Sequence, residues 1–355
     1  MFFKVLREYP NTDALGGWNE FLSACPMACH YVSPAFFLEP FWEARDPFAV
    51  LVYDSEERVR AVATGVRNHR RLECGMFVRP QVAMCPETEP VALAAVLAEG
   101  LRTARTQNES SIRLFSWGQI PDLVKHGYTE TRAEGEEKTV VLDLALSAEG
   151  LFAGFAASRR NNLRKSIKKG MLEIKELETE DEFEQLYPIH LRWCDTKSTP
   201  PTPREWLRKA WNLRDHRKIL IAKHDGKVVA ASYFRFSRGG VVEYAGNNSM
   251  PEFLALRPND LLMWRAIEWA CKENFTYFSM GGSHTFLQRF GGEVVSCFMY
   301  ETDLSRLKTV RLKNRLSDRL GKAYRAIPYS VRQKMKRILK IGPKPINVRR
   351  HGADS

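Results

Sequence analysis

Residues 241–282 read VVEYAGNNSMPEFLALRPNDLLMWRAIEWACKENFTYFSMGG. The run opens as a strand whose last residues are small or carry amides. It crosses a short loop and enters a helix at Pro258-Asn259-Asp260, which leads straight into a second strand, TYFSMGG. Proline and an acid in the first turn suit a helix start, and Asn259 is the expected N-cap. A helix that begins at the carboxyl edge of a strand points backbone N–H groups outward without partners. Such a start suits an anion, a pyrophosphate for example.

Working outward, the second half reads as a basic helix over 158–169 stopped by Gly170, a strand LEIKEL, and a helix EDEFEQLYPIHLRWC. The loop KSTPPTP breaks the chain before the helix REWLRKAWNL. KILIAKHDGKVVAASYFRF is a β-hairpin turned at Asp225-Gly226, and SCFMYETDL is a last strand. The first half reads in the same order. Helices are expected in TDALGGWNEFLSA and SPAFFLEPFWEA, and strands in FAVLVYD and RVRAVATGVR. The amphipathic helix PVALAAVLAEGLRTA and the strands SIRLFSW and VVLDLAL follow. This alternation implies an α/β chain, α+β by some schemes. The expected boundaries are 1–148, 149–305 and a tail over 306–355.

The chain has 355 residues, 44% of them apolar and 11% aromatic, enough for two ordinary cores. Seven scattered cysteines, an odd number, fit a reducing compartment better than a disulfide scaffold. Cys25, Cys29 and His30 in CPMACH make only half of a metal pattern, so buried thiols and no metal are expected. No signal-length apolar run opens the chain, and no stretch reaches the ~20 apolar residues of a spanning helix. A cytoplasmic protein is expected. Its net charge of +12 is uneven: residues 306–350 hold 16 basic residues and one acid, against 38 basic and 41 acidic elsewhere. Residues 306–341 have the pattern of basic amphipathic helices, which suit an anionic membrane surface at the inner face of the membrane. In the nearly neutral remainder, SRRNNLRKSIKKG at 158–170 is a second concentration of charge. Arg160, Arg164 and Lys168 share one side of that helix, with Lys165 near it, and Arg and Lys suit phosphate.

HYVSPAFF, SRRNNLRKSIKKG, LRPNDLLMWRAIEWACKENFTYFSMGGS and LQRFGGE, in this order, resemble the GNAT acyltransferase superfamily. The resemblance is to the tandem-domain branch related to Fem-type peptidoglycan-bridge aminoacyltransferases and to acetyltransferase-like proteins of polysaccharide clusters. It implies two GNAT-like domains with mixed central sheets and an activated acyl donor lying in a gap between VVEYAGNN and TYFSMGG. Asn247, Asn259, Asp260 and Leu261 would then hold the donor, acetyl-CoA or another acyl donor used as co-substrate. The glycine-rich loop of ordinary acetyl-CoA enzymes is replaced by LRPNDL, and the helical hairpin of the tRNA-using Fem enzymes is not evident, so aminoacyl-tRNA is the less favoured donor. The acceptor implied is a phosphorylated, nucleotide-linked or lipid-linked amino sugar of a cell-envelope or polysaccharide precursor. Arg160, Arg164, Lys165, Lys168 and Arg289 would clamp it.

N-acyl transfer needs an oxyanion donor and a base. Tyr244 and Glu243 are adjacent on one strand and face opposite ways. Tyr244 is the favoured acid or oxyanion donor, and Glu243 is a candidate base. His284 beyond the last central strand and Asp195 before the proline loop are further candidates. Two other readings stand beside the enzyme: a non-catalytic GNAT-like protein that holds a sugar phosphate or envelope partner, and a nucleic-acid binder, for which aromatic interleaving is poor.

Overall fold

The computed structural model describes residues 1–305 apart from 26, 43, 44, 69, 87 and 88. The expected tail over 306–355, with its membrane-surface reading, lies outside the described residues. In chain order the first half runs β1 (Phe2–Leu6), α1 (Thr12–Ala24), β2 (Phe48–Tyr53), β3 (Val59–Asn68), β4 (Arg71–Met76), β5 (Arg79–Pro80), β6 (Val82–Met84), α2 (Pro90–Ala104), β7 (Ser111–Ser116) and β8 (Thr129–Arg132). The second runs β9 (Thr139–Asp143), α3 (Ala148–Gly154), α4 (Ala157–Lys169), β10 (Glu173–Glu176), α5 (Glu180–Lys197), α6 (Arg204–Asn212), β11 (Arg217–His224), β12 (Lys227–Phe236), β13 (Val241–Ser249), α7 (Pro258–Lys272), β14 (Tyr277–Ser279), α8 (Thr285–Gln288), β15 (Glu293–Val295) and β16 (Phe298–Asp303).

These make two mixed sheets, of nine and seven strands. Both are covered on two faces, which is why central strands are apolar throughout instead of alternating. In β2, Phe48, Val50 and Val52 pack under α2 against Leu93, Leu97 and Leu101. Ala49, Leu51 and Tyr53 pack the other way, against Trp18, Phe21 and Phe36. In the second sheet, α7 lays Leu262, Met263, Ala266 and Ile267 on Phe234, Val242 and Phe278. Helices α5 and α6 cover the opposite face with Phe183, Leu186, Leu207 and Trp211 on Ile219, Ile221 and Ala231.

Two expectations are corrected. The expected helix over 33–44 is not seen in its described part, residues 33–42: the segment forms 3-10 turns at Pro34–Leu38 and Pro40–Trp42, after one at His30–Val32. Pro34 and Pro40 lack the N–H that a continuous α-helix would use. The division at 148/149 also does not follow the sheets. β9, from the first half, pairs with β14 (Tyr277 opposite Asp143) and with β15 of the second sheet. β16, from the second half, pairs with β7 (Tyr300 opposite Leu114) and β8 of the first. Each half lends the other a strand.

β13 and β14 run parallel and pair only over Val241–Glu243 and Tyr277–Ser279. Past Ser279 the chain turns toward β9, where Met280 N–H bonds Val140 O and Val140 N–H bonds Gly282 O, both at 2.9 Å. β13 continues to Ser249 and is irregular there: its register with β12 shifts at Tyr233/Phe234, and Gly246 has φ +140°. Gly281 has φ +65°, and a Cβ on it would lie 2.5 Å from the carbonyl oxygen of Tyr244. Beyond that contact the two strands are no longer paired, and a gap opens.

Candidate active site

Three hollows lie near the ends of β13 and α7. The first, about 220 Å³, lies at the start of α7 and is lined by Ser158, Arg159, Asn162, Arg257, Pro258, Asn259, Asp260, Phe286 and Arg289. The second, about 170 Å³, continues from it along α4, sharing Asn162 and Arg257 and adding Lys165, Ser166, Lys169 and Leu261. Together they form a basic groove between α4 and α7. Residue 257, not Asn259, is the N-cap, in left-handed conformation, with Pro258 at the first helical position. The N–H groups of Asp260 and Leu261 both donate to Arg257 O. Pro258 has no N–H, so the helix start offers few free amides. The cationic side chains Arg257, Arg289, Lys165 and Lys169 take their place.

Asp260 is buried against Arg159, whose Nη1 bonds its Oδ1. The Arg159 guanidinium lies 4.4 Å from the ring centroids of both Phe286 and Phe290 and donates to Phe286 O at 3.1 Å. The Asp260 charge is thereby neutralised from behind, which leaves the groove open to an anion. Asn259 ties the helix start to β13 through Ser249 (Nδ2 to Oγ, 3.3 Å), and its buried Oδ1 has no partner.

The third hollow, about 390 Å³, lies on the other face of the second sheet and takes walls from both halves. Tyr31, Phe41, Trp42 and Arg79 come from the first half; Trp193, Leu207, Ile219 and the β13 residues Ala245–Asn248 come from the second. One side is fixed by His190 of α5. Its Nε2 accepts from Thr202 N–H at 3.0 Å, so the ring is protonated on Nδ1, which meets Asn248 Oδ1 at 3.1 Å. Tyr233 donates to the same oxygen at 2.6 Å. Burial lowers the His190 pKa although the bond to Asn248 opposes it. The imidazole thus stays neutral and pins the proline loop over the cavity.

The floor of this cavity is charged. Arg217 grips Glu39 with both arms, Nε at 2.8 Å and Nη2 at 2.5 Å, and His30 Nε2 meets Glu39 Oε1 at 2.5 Å. Burial alone would raise the Glu39 carboxyl, but Arg217 and His30 overcome it and hold it at about 2. Burial lowers His30 to about 4 against the pull of Glu39. With Nδ1 buried and unpartnered, His30 is neutral and donates to Glu39. Arg235 bonds Tyr31 Oη and lies 4.4 Å over that ring, and Arg79 donates to Ala245 O at 3.4 Å.

The structure separates the expected site residues into groups. Asn259, Asp260 and Arg289 share the groove, with Leu261 and Lys165 in its extension. The expected clamp through Arg160, Arg164 and Lys168 is corrected. Arg160 caps the end of α3 through Ala153 O and Phe155 O, and Arg164 lies 5.3 Å over the Phe152 ring. Lys168 is exposed and lines none of the hollows. The stripe facing the groove is Ser158–Asn162–Lys165–Lys169. Asn247 lines the large cavity and accepts from Tyr244 Oη at 2.8 Å. Glu243 is buried on the opposite face of β13, with Oε2 unpartnered. His284 and Asp195 are exposed and line none of the three hollows.

The sequence reading missed Arg79, Arg217, Arg235, His190 and the His30–Glu39 pair. HYVSPAFF contains His30 and Tyr31, and a charge between two phenylalanines at the end of an apolar hairpin strand (Arg235) was the available signal. Cys25 and Cys29 donate to Met84 O and Pro80 O as core thiols. Among the described residues, no three His, Cys, Asp or Glu gather as a metal site would need. Also among these residues, no helix is long and apolar enough to cross a membrane.

This arrangement of splayed parallel strands, with a helix start at the mouth of the gap, is the GNAT arrangement. Residues 157–289 match the family described as Acetyltransferase (GNAT) domain. That stretch is thus matched as a GNAT acetyltransferase domain, and the chain as a whole has the fold of tandem GNAT proteins. Among solved structures it is similar to FemX, with a TM-score of 0.69, 9% identity, and 86% of this chain and 98% of that chain covered. It is also similar to the C-terminal domain of a putative lysylphosphatidylglycerol synthetase from Agrobacterium fabrum (TM-score 0.56, 10% identity, 86% and 97% covered). A third is a tandem GNAT protein from the clavulanic acid biosynthesis pathway (0.52, 12%, 85% and 99%). At these identities the structural likeness bears on fold alone. No curated protein matches the chain.

Proposed function

We propose that the chain is an N-acyltransferase whose donor is an acyl-CoA and whose acceptor is an amino group of a cell-envelope or polysaccharide precursor. The observation that carries this reading is the pair of hollows near the ends of β13 and α7. One is a groove with four cationic side chains at a helix start, suited to phosphates. The other is an aromatic cavity suited to a small organic body. The donor supplies the activated acyl carbon. Arg257, Arg289, Lys165 and Lys169 would hold its phosphates, and the unpaired edge of β13 would hold its extended arm. Tyr244, at the gap and fixed by Asn247, is the proposed oxyanion or proton donor. Glu243, which faces the other way from Tyr244 and has one oxygen free of partners, is the alternative to it, as a base. Holding both reactants contributes up to ~7–11 kcal/mol of the barrier reduction. The envelope assignment of the acceptor draws on the resemblance to Fem-type enzymes and on the lysylphosphatidylglycerol synthetase named among the structural neighbours.

The first half does not duplicate the groove. Its own hollow, about 280 Å³ between β6, β7 and the start of α2, is lined by Met84, Cys85, Pro90, Trp117 and Gln119 among others, and by no Lys or Arg among the described residues.

Calorimetric titration of the full chain with acetyl-CoA tests this reading. Binding is expected, with Arg257→Ala and Arg289→Ala each weakening it about tenfold, and less at high salt. Absence of binding by acetyl-CoA and longer acyl-CoAs, or indifference to both substitutions, would overturn it.

A further inference from the structure

Among the described residues, the arginines around the large cavity outnumber the carboxylates beside them. Around its floor stand three arginines, Arg79, Arg217 and Arg235. Two carboxylates oppose them: Glu39, which Arg217 engages fully, and Glu243, the cross-strand neighbour of Arg235. His30 is neutral, so among the described residues the three guanidinium groups exceed the two carboxylates by one. Arg235 is 3% exposed, and its Nε and Nη2 are buried without a hydrogen-bond partner; the Nε of Arg79 is likewise buried and unpartnered. Arg79 and Arg235 come from different halves of the chain and lie close enough that Arg235, with burial, brings the Arg79 pKa down to about 10. At Arg235 burial is outweighed by Tyr31, Glu243 and Glu39, which favour its charge and raise its pKa. Buried guanidinium groups without partners are costly, and proteins keep them where a ligand completes the set.

We propose that Arg79 and Arg235 form an anion subsite that receives a carboxylate or phosphate monoester of the acceptor. This rests on the reading of the large cavity as the acceptor site. The subsite lies beside Ala245, whose carbonyl Arg79 engages, and so at the end of β13 where the gap opens. An anion held there places the attached amine near the acyl carbon. Tyr31, Phe41, Trp42 and Trp193 line the cavity and would cover the acceptor's apolar body. The acceptor class is therefore a small amphiphilic molecule with one anionic group close to its amine. A neutral amine does not fit the charge of the floor.

The test uses the full chain and tryptophan fluorescence, since Trp42 and Trp193 line the cavity. Three anionic probes are titrated beside neutral analogues: benzoate against benzamide, glucuronate against glucose, and glucosamine 6-phosphate against glucosamine. At least one anion is expected to bind about tenfold tighter than its analogue. Arg79→Gln and Arg235→Gln are each expected to abolish that difference. Preference among the carboxylates and the phosphate identifies which source supplies the anion.

Stability gives a second readout. Arg79→Gln removes the cation in excess, so its Tm without ligand is expected to equal or exceed that of the parent chain. A purely structural arginine would lower it. The proposal is overturned if charged and neutral probes bind alike, if none binds below about 10 mM, if the preference survives either substitution, or if Arg79→Gln lowers Tm clearly. Acetyl-CoA titration of the same variants separates this outcome from failure of the acyltransferase reading. Donor binding with no anion preference sinks the subsite alone.

Discussion

Replacing Arg159 by methionine tests how the groove between α4 and α7 is built. Arg159 and Asp260 form a buried pair, 4% and 5% exposed, at the start of α7. Breaking such a pair by removing one partner costs ~3–5 kcal/mol, because the remaining charge is left in a dry site. Here the remaining charge is a carboxylate at a helix start, where the dipole returns ~0.3–1 kcal/mol. Arg257 Nη1 is 3.8 Å from its Oδ2 but half-exposed and weakly coupled. The expected loss for Arg159→Met is then ~2–4 kcal/mol. Asp260→Asn should cost less, ~1 kcal/mol, because Arg159 keeps its bond to Phe286 O and its place between two rings, each contact worth ~0.5–2 kcal/mol. The double variant should be more stable than the sum of the single losses predicts, since neither charge remains stranded. Urea unfolding at neutral pH measures all three, with acetyl-CoA affinity as a parallel readout that falls in Arg159→Met. The reasoning fails if Asp260→Asn costs as much as Arg159→Met, or if the two losses add.

Two further outcomes are expected. His30 takes a proton near 6.5 in the unfolded chain but not until about 4 when folded, so the unfolded state binds more protons between those values and stability falls as pH drops through that window. Glu39 extends the loss, because its carboxylate persists to about 2 when folded and protonates near 4.5 when unfolded. Urea midpoints from pH 7 to 4.5 should decline in the parent chain and flatten in His30→Gln; an equal slope in both would refute the neutral-imidazole assignment. Gly281→Ala should destabilise by ~2–4 kcal/mol, since its Cβ would strike Tyr244 O and its φ is left-handed. Thermal unfolding that leaves this variant unchanged would show that the strands do not approach there.

The stretch 241–282 was readable because each signal in it is local. A strand, a proline-opened helix and a second strand follow from residue types at fixed spacing, as do the Asp225-Gly226 turn and the left-handed stop at Gly170. The orientation of α4 was not readable. Polar stripes flank Leu163 on both sides, and periodicity cannot say which of them a groove will use. Packing decides: Phe152 of α3 takes Arg164 and the carbonyls of α3 take Arg160, leaving Asn162, Lys165 and Lys169 toward α7. The large cavity was hidden for a related reason. Its charged floor is assembled from positions 39, 79, 217 and 235, each looking like an ordinary polar residue in its own segment. Only the pairing of the two halves makes them neighbours.

The exchange of β9 and β16 turns that pairing into a structural necessity. β14, the far wall of the gap, is held in place by β9, a strand from the first half. The second half grips β9 through Gly292, whose Cβ would stand 2.5 Å from Val141 O at a φ of +82°. No other residue permits that approach at a left-handed φ without strain. Gly292 of LQRFGGE thus seats β9 against the second half, and the first half contributes this support for β14 as well as Arg79 and Tyr31 of the cavity. On the proposed reading, one half carries the groove for the donor and the other part of the wall for the acceptor, and the chain has reason to retain both halves.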